Sequence, residues 1–239
     1  ARPHKAWKVS LKGLAGGHSG MEIHLGKGNA NKLMNRFLLE ATKALNIRIH
    51  SIDGGGLRNA IPRESFSIIA IAEEIEAALQ DLIAKYLVIF HEEYETTDPD
   101  LQLLIESTGN VNTLLPESDQ LNLLRSIYAC PNGVYRMIPD IEDLVQTSNN
   151  VARILVEDGK YKILCLTRSS VDSEKMDEAN AISSAFELIG AQLSFSGTYP
   201  GWTPRPGAAI VKIMSNLYEE MFDEKADVNA CHAGLECGI

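Results

Sequence analysis

Trp7-Lys8-Val9-Ser10-Leu11-Lys12-Gly13-Leu14 runs, across Ala15, into Gly16-Gly17-His18-Ser19-Gly20. The first stretch alternates, with Trp7, Val9 and Leu11 on one face, which is the period of a half-buried strand. In the second, a histidine stands among glycines that give it little side-chain cover. Such a loop lets backbone approach a ligand closely and turns an imidazole outward, although a tight turn that happens to contain a histidine has the same residues. A helix follows over about 29–46, with Ala30, Leu33, Met34, Phe37, Leu38, Ala41 and Leu45 at helical spacing. Strand, glycine loop with a polar tip, then amphipathic helix is the opening of an α+β unit.

Working outward, a strand over 47–52 is expected to end at Gly54-Gly55-Gly56. A strand over 65–72 and a helix over 73–95 come next, closed by Thr96-Thr97-Asp98-Pro99-Asp100. Ser118 is placed to cap a helix over 119–129, and Pro131-Asn132-Gly133 turns the chain. Asp158-Gly159 between β-rich runs predicts a long hairpin over 143–169. Asp172-Ser173 caps a helix over 174–189 with Met176 among its inward residues, and a strand is expected over 192–196. A linker over 201–207 leads to a last helix over 208–222. Residues 7–95 and 118–197 thus read as two α+β units of similar make-up. Each sets helices on one face of an antiparallel sheet. The units either share one broad sheet or pair with a second chain.

Composition narrows the function. The chain has 239 residues, 45% of them hydrophobic, enough for a substantial core. A net charge of -10 disfavours nucleic acid, because phosphate binding needs clustered Lys and Arg. No apolar run approaches a membrane span and the N-terminus has no signal-peptide pattern, so membrane partners are not expected and cytosol is the expected location. Cys130, Cys165, Cys231 and Cys237 are too scattered for a disulfide framework. Cys231, His232 and Cys237 match no common structural zinc spacing.

Several motifs together resemble one family. They are the strand and GGHSG loop, Glu22-Ile23-His24, Gly28-Asn29-Ala30-Asn31-Lys32-Leu33, Asn59-Ala60-Ile61-Pro62-Arg63-Glu64, Arg168-Ser169-Ser170-Val171-Asp172-Ser173, Tyr199-Pro200-Gly201-Trp202 and His232-Ala233-Gly234-Leu235-Glu236-Cys237-Gly238. In this order they resemble the aminoacyl-histidine dipeptidase family of the zinc metallopeptidase superfamily of carnosinases and aminoacylases. The resemblance covers nearly the whole chain. It implies a ferredoxin-like lid, doubled in length, over residues 1–198, and the truncated start of the C-terminal half of an α/β catalytic domain over 199–239. It implies a cytosolic enzyme that hydrolyses Xaa-His dipeptides by metal-activated water, and a homodimer formed through the lid. Two zinc ions belong to such an enzyme, with their ligands outside this chain.

The resemblance also implies site residues. His18 would hydrogen-bond the substrate carbonyl oxygen as it gains charge, Asn59 would contact substrate, and Arg168 would hold a carboxylate. Gly234 and Gly238 would offer backbone N–H groups. Each has a plainer reading: Asn59 suits a turn, and Arg168 suits an ion pair with Asp172 or Glu174 at the next helix start. Asn149 and Asn150 are weaker candidates, and His24 reads as a surface histidine. No metal ligands are expected here. The sequence has no His-x-Asp, and Glu73-Glu74, Glu92-Glu93 and Glu219-Glu220 fall on helices where a solvated face suffices. With its ligands and general base elsewhere, the chain alone is expected to be inactive. A non-catalytic α+β dimerisation or ligand-binding module is the alternative.

Overall fold

The computed structural model describes residues 4–234. Strand β1 (His4–Lys12) carries the alternation read above, and Trp7, Val9 and Leu11 are all buried. The glycine loop holds a two-residue strand, β2 (Gly17–His18), and then α1 (Ala30–Leu45) begins. Asn29 caps α1: its side-chain oxygen accepts the N–H groups of Asn31 and Lys32 at 3.0 and 3.2 Å. Leu33, Met34, Phe37, Leu38 and Ala41 form the helix's buried stripe. Asn46 ends it in the left-handed conformation, with φ 53°.

Next come β3 (Arg48–Gly55), β4 (Ala60–Ile61), β5 (Ser65–Ala70), α2 (Glu76–Tyr94) and β6 (Gln102–Val111). Their order across the sheet is β6-β1-β5-β3, all antiparallel. With α1 and α2 this is a β-α-β-β-α-β unit of ferredoxin-like type. The chain then adds α3 (Glu117–Ala129), β7 (Gly133–Met137), β8 (Val145–Glu157), β9 (Lys160–Ser169) and α4 (Asp172–Glu187). These strands extend the same sheet to seven. Strand β9 follows one edge of β8 from Thr147 to Glu157, so β3 and β7 share the other edge, β3 against 153–156 and β7 against 145–149.

Of the two arrangements the sequence left open, one broad sheet within a single chain is the one formed. Helix α1 packs between α2 and α3, and α3 packs on α4. A single apolar cluster runs through both units, from Trp7 and Phe37 to Phe90, Leu124, Val151 and Phe186. Burial of apolar area on this scale is the main favourable contribution to folding. Lys32 adds a polar tie between helices: its ammonium donates to the carbonyls of Ile127, Tyr128 and Cys130 at 2.7, 2.9 and 2.7 Å. That satisfies the last carbonyls of α3, which have no partner within their own helix.

Several expectations about elements need correction. Strand β3 does not stop at the glycines but runs through Gly54 and Gly55. A Cβ on Gly55 would overlap the Ala152 carbonyl oxygen, so glycine here serves close strand packing. Strands β6 and β7 went unread. Only the first part of β6 alternates, through Leu103 and Ile105 in step with Leu101 just before it, and most of the rest is exposed edge. No strand forms over 192–196, where the chain runs without a ladder partner. Met176 is 44% exposed rather than inward. Ser118 lies inside α3 after Pro116, and α4 starts at Asp172 with no side-chain cap. The last helix, α5 (Ala209–Phe222), buries none of its residues.

Candidate functional site

The loop between β1 and α1 is closed at its base by Asp98. Its buried carboxylate accepts the N–H of Ala15 and the N–H of Gly28, each at 2.8 Å. Between those points β2 pairs with β4, Gly17 opposite Ile61 and His18 opposite Ala60. The Ser19 N–H donates to the Asn59 carbonyl at 2.8 Å. The β4 side is held in turn by Asn150 of β8, whose amide donates to the carbonyls of Arg58 and Ala60 at 3.1 and 2.8 Å. Asn149 donates to the Pro131 carbonyl at 2.7 Å. Both asparagines are fully buried, so they brace the loops rather than face a ligand.

Within that frame the imidazole of His18 is oriented by its own turn. Nδ1 accepts the N–H groups of Gly20 and Met21 at 3.2 and 3.0 Å. A ring nitrogen that accepts is unprotonated, so Nε2 carries the hydrogen. Nε2 has no protein partner among the described residues and is a free donor.

Gly20 is where distant parts of the chain meet. A Cβ there would overlap the carbonyl oxygen of His232 and sit 3.2 Å from His18 Cε1 and 3.3 Å from Arg168 Nε. Arg168, near the end of β9, therefore lies beside His18. Its Nε is buried without a partner. The ion pair the sequence offered as an alternative does not form. Asp172 binds Lys175 and the Gly201 N–H, and Glu174 binds Arg136, Gln146 and Thr147. Burial lowers the guanidinium's pKa, with the Tyr199 phenol pulling the other way, and the group remains a cation at any physiological pH.

His232, which the sequence did not single out as a site residue, is buried in the same place. Its Nε2 lies 2.8 Å from the hydroxyl of Ser148. Burial first, and then the charges of Arg168 and His24, push its pKa down to about 4, while a hydrogen bond with the Val145 backbone opposes them. It is neutral at pH 7 and adds no charge beside Arg168. Arg168 and His232 line a cleft of about 730 Å³, walled by β9, α4 and residues 191–204, with Arg58, Tyr199 and Trp202 at its margins. Only the folded arrangement shows that His232 lies beside Arg168, since 64 positions separate it from Arg168 and 214 from His18.

The other candidates fall as follows. Asn59 is exposed, and its backbone rather than its side chain is tied to the GGHSG loop. His24 is exposed. Gly234 lines the cleft, and a Cβ there would stand 2.5 Å from the Tyr199 hydroxyl oxygen. Gly238, with Glu236 and Cys237, lies outside the described residues. Among the described residues no three His, Cys, Asp or Glu side chains are grouped to hold a metal ion. The donors grouped among the described residues do not make up a zinc site. No helix among the described residues is long and apolar enough to cross a membrane.

Comparison with known proteins gives this geometry a family. Residues 9–98 match the peptidase dimerisation domain. The chain is 38% identical over 235 residues to the cytosol non-specific dipeptidase of Escherichia coli (strain K12), covering 98% of this chain and 48% of that protein. Its fold matches the crystal structure of aminoacylhistidine dipeptidase from Vibrio alginolyticus with a TM-score of 0.92 and 40% identity, again over 98% of this chain and 48% of that one. The chain thus spans about half the length of the relatives it matches. It carries their peptidase dimerisation domain, and it belongs to this dipeptidase family.

Proposed function

We propose that this chain is the substrate-covering part of a cytoplasmic, zinc-dependent dipeptidase that cleaves Xaa-His dipeptides. In this reading residues 1–198 are the lid and dimerisation domain, and residues 199–239 begin the C-terminal half of a catalytic domain. Helix α5 supports that division: Ile213, Met214, Leu217 and Phe222 are 45–60% exposed, an apolar face suited to packing on a further domain. Two zinc ions, their ligands and the general base lie outside this chain. The metal supplies the activated water, and the residues here bind and polarise the substrate.

The observation that carries the proposal is the convergence at Gly20 of the His18 imidazole ring, oriented through its Nδ1, and the half-buried guanidinium of Arg168, whose Nε has no partner. A dipeptide offers two matching acceptors, the scissile carbonyl oxygen and the C-terminal carboxylate. His18 Nε2–H donates to the first, and the bond strengthens as the oxygen becomes an oxyanion. Arg168 holds the second through its planar fork of donors. Asn59 contacts the substrate, and backbone N–H groups at Gly234 and Gly238 assist at the carboxylate end. The protein works as a homodimer joined through the lid. Replacing His18 by Ala in the full-length enzyme should lower kcat by about a hundredfold with the fold unchanged. Unchanged turnover would remove His18 from the mechanism and favour a non-catalytic binding or dimerisation module.

A further inference from the structure

The turn that presents His18 is built like a helix N-terminus one turn long. His18 occupies the cap position: its Nδ1 accepts the N–H groups of Gly20 and Met21, and its carbonyl accepts the Glu22 N–H at 3.0 Å. The reciprocal bond comes from Glu22. Its Oε2 accepts the His18 backbone N–H at 2.7 Å. In a capping box a side chain in the first turn reaches back to the main-chain N–H of the cap residue in the same way. Glu22 is itself held, because its Oε1 accepts from Lys27 Nζ at 2.5 Å. The space for this carboxylate exists because residue 17 is glycine: at φ 152° a Cβ there would stand 2.7 Å from Oε2.

We infer that Glu22, fixed by Lys27, is a positioning residue for His18. It locks the turn in which Nδ1 is used as an acceptor and Nε2–H is left as the free donor. Without the carboxylate the His18 N–H loses its partner, the turn loosens, and Nδ1 is released from the two N–H groups. The imidazole then exchanges between its two neutral tautomers, and only one of them can donate from Nε2. The Lys27 ammonium keeps the pair ionised: that hydrogen bond first, and then the one from the His18 backbone, hold the Glu22 carboxyl below its usual pKa. The inference rests on the proposed role of His18 for its functional consequence, but the geometry it concerns belongs to this chain alone.

The test uses nitrogen-15 NMR of the histidine rings in the 239-residue chain at alkaline pH, with His18 assigned by its loss in His18→Ala. The unsubstituted chain should show His18 as a single tautomer protonated at Nε2. Glu22→Ala should move both ring nitrogens toward the tautomer average, while Glu22→Gln, which keeps an acceptor for the His18 N–H, should restore most of the original signal. In the full-length enzyme Glu22→Ala should lower kcat by about tenfold with KM changed by less than about twofold, since orientation of a transition-state donor is what is lost. Should Glu22→Ala fail to fold, Lys27→Met is read in the same way, with a smaller shift in the same direction. Ring signals of His18 identical in the variants and the unsubstituted chain would overturn the inference. Ring signals that move in Glu22→Ala, while His18→Ala leaves turnover intact, would uphold the positioning and sink the proposed role of His18 instead.

Discussion

Two buried residues are titratable groups held neutral by the fold, and pH can test them. Glu178 on α4 is 1% exposed, and its Oε2 has no partner. Burial, followed by the nearby Glu174 and Cys165, raises its pKa to about 8. A carboxyl whose folded pKa exceeds its unfolded value of 4.5 favours folding while it stays protonated, and that contribution is lost as pH rises from 4.5 through about 8. Glu178→Gln should therefore stabilise the chain above pH 8 by up to about 5 kcal/mol and do little near pH 4, as read by denaturant unfolding at both pH values. His232 has the opposite sense. Its folded pKa of about 4 lies below 6.5, so the folded state binds fewer protons than the open one between those values. Docking of residues 231–234 on β8 should weaken as pH falls from 6.5 to about 4, by about 3 kcal/mol, and His232→Gln should abolish that slope in amide exchange at Ser148. At this scale the sequence offered His18 and Arg168 as candidates through the motifs around them, and the fold brings both beside Gly20. It assigned no role to Glu22, Glu178 or His232, whose roles come from partners or burial that no local pattern records.

Among the elements, those with strong periodicity were legible. Helix α1, with its asparagine cap and apolar stripe, and the Asp158-Gly159 hairpin of β8 and β9 formed where the residues placed them. Strands β6 and β7 were not legible because edge and short strands bury too few side chains to alternate along their length. The glycines of β3 misled for a physical reason: Gly54-Gly55 is the signal of a turn, yet close contact with Asn31 and Ala152 makes it the signal of a tightly packed strand. Asn29 joins both units, since its oxygen caps α1 and its amide donates to Asn132, Asn150 and the Val151 carbonyl. Asn29→Ala should cost about 2 kcal/mol, the upper range for a cap, because buried partners are left unsatisfied as well. A melting shift within error would show that the cap is redundant. The same asparagine layer explains why Asn149 and Asn150, which the sequence offered as weak site candidates, belong to the scaffold under the site.

For the whole molecule, the sheet order matters most. Joining β3 to β8 brings the unit that carries His18 alongside the unit that carries Arg168, and one apolar core fixes the two together. Folding thereby brings His18 and Arg168, 150 positions apart, together at Gly20, where in the proposed function they serve a carbonyl and a carboxylate. That pairing is the central claim. Its most direct test compares Xaa-His dipeptides with their C-terminal amides in the full-length enzyme, before and after Arg168→Met. If Arg168 holds the carboxylate, the substitution should raise KM for the free dipeptide by about a hundredfold, the loss expected when one charge-assisted pair is removed, and leave the poorly bound amide nearly unaffected. Equal effects on dipeptide and amide, or none on either, would contradict the account.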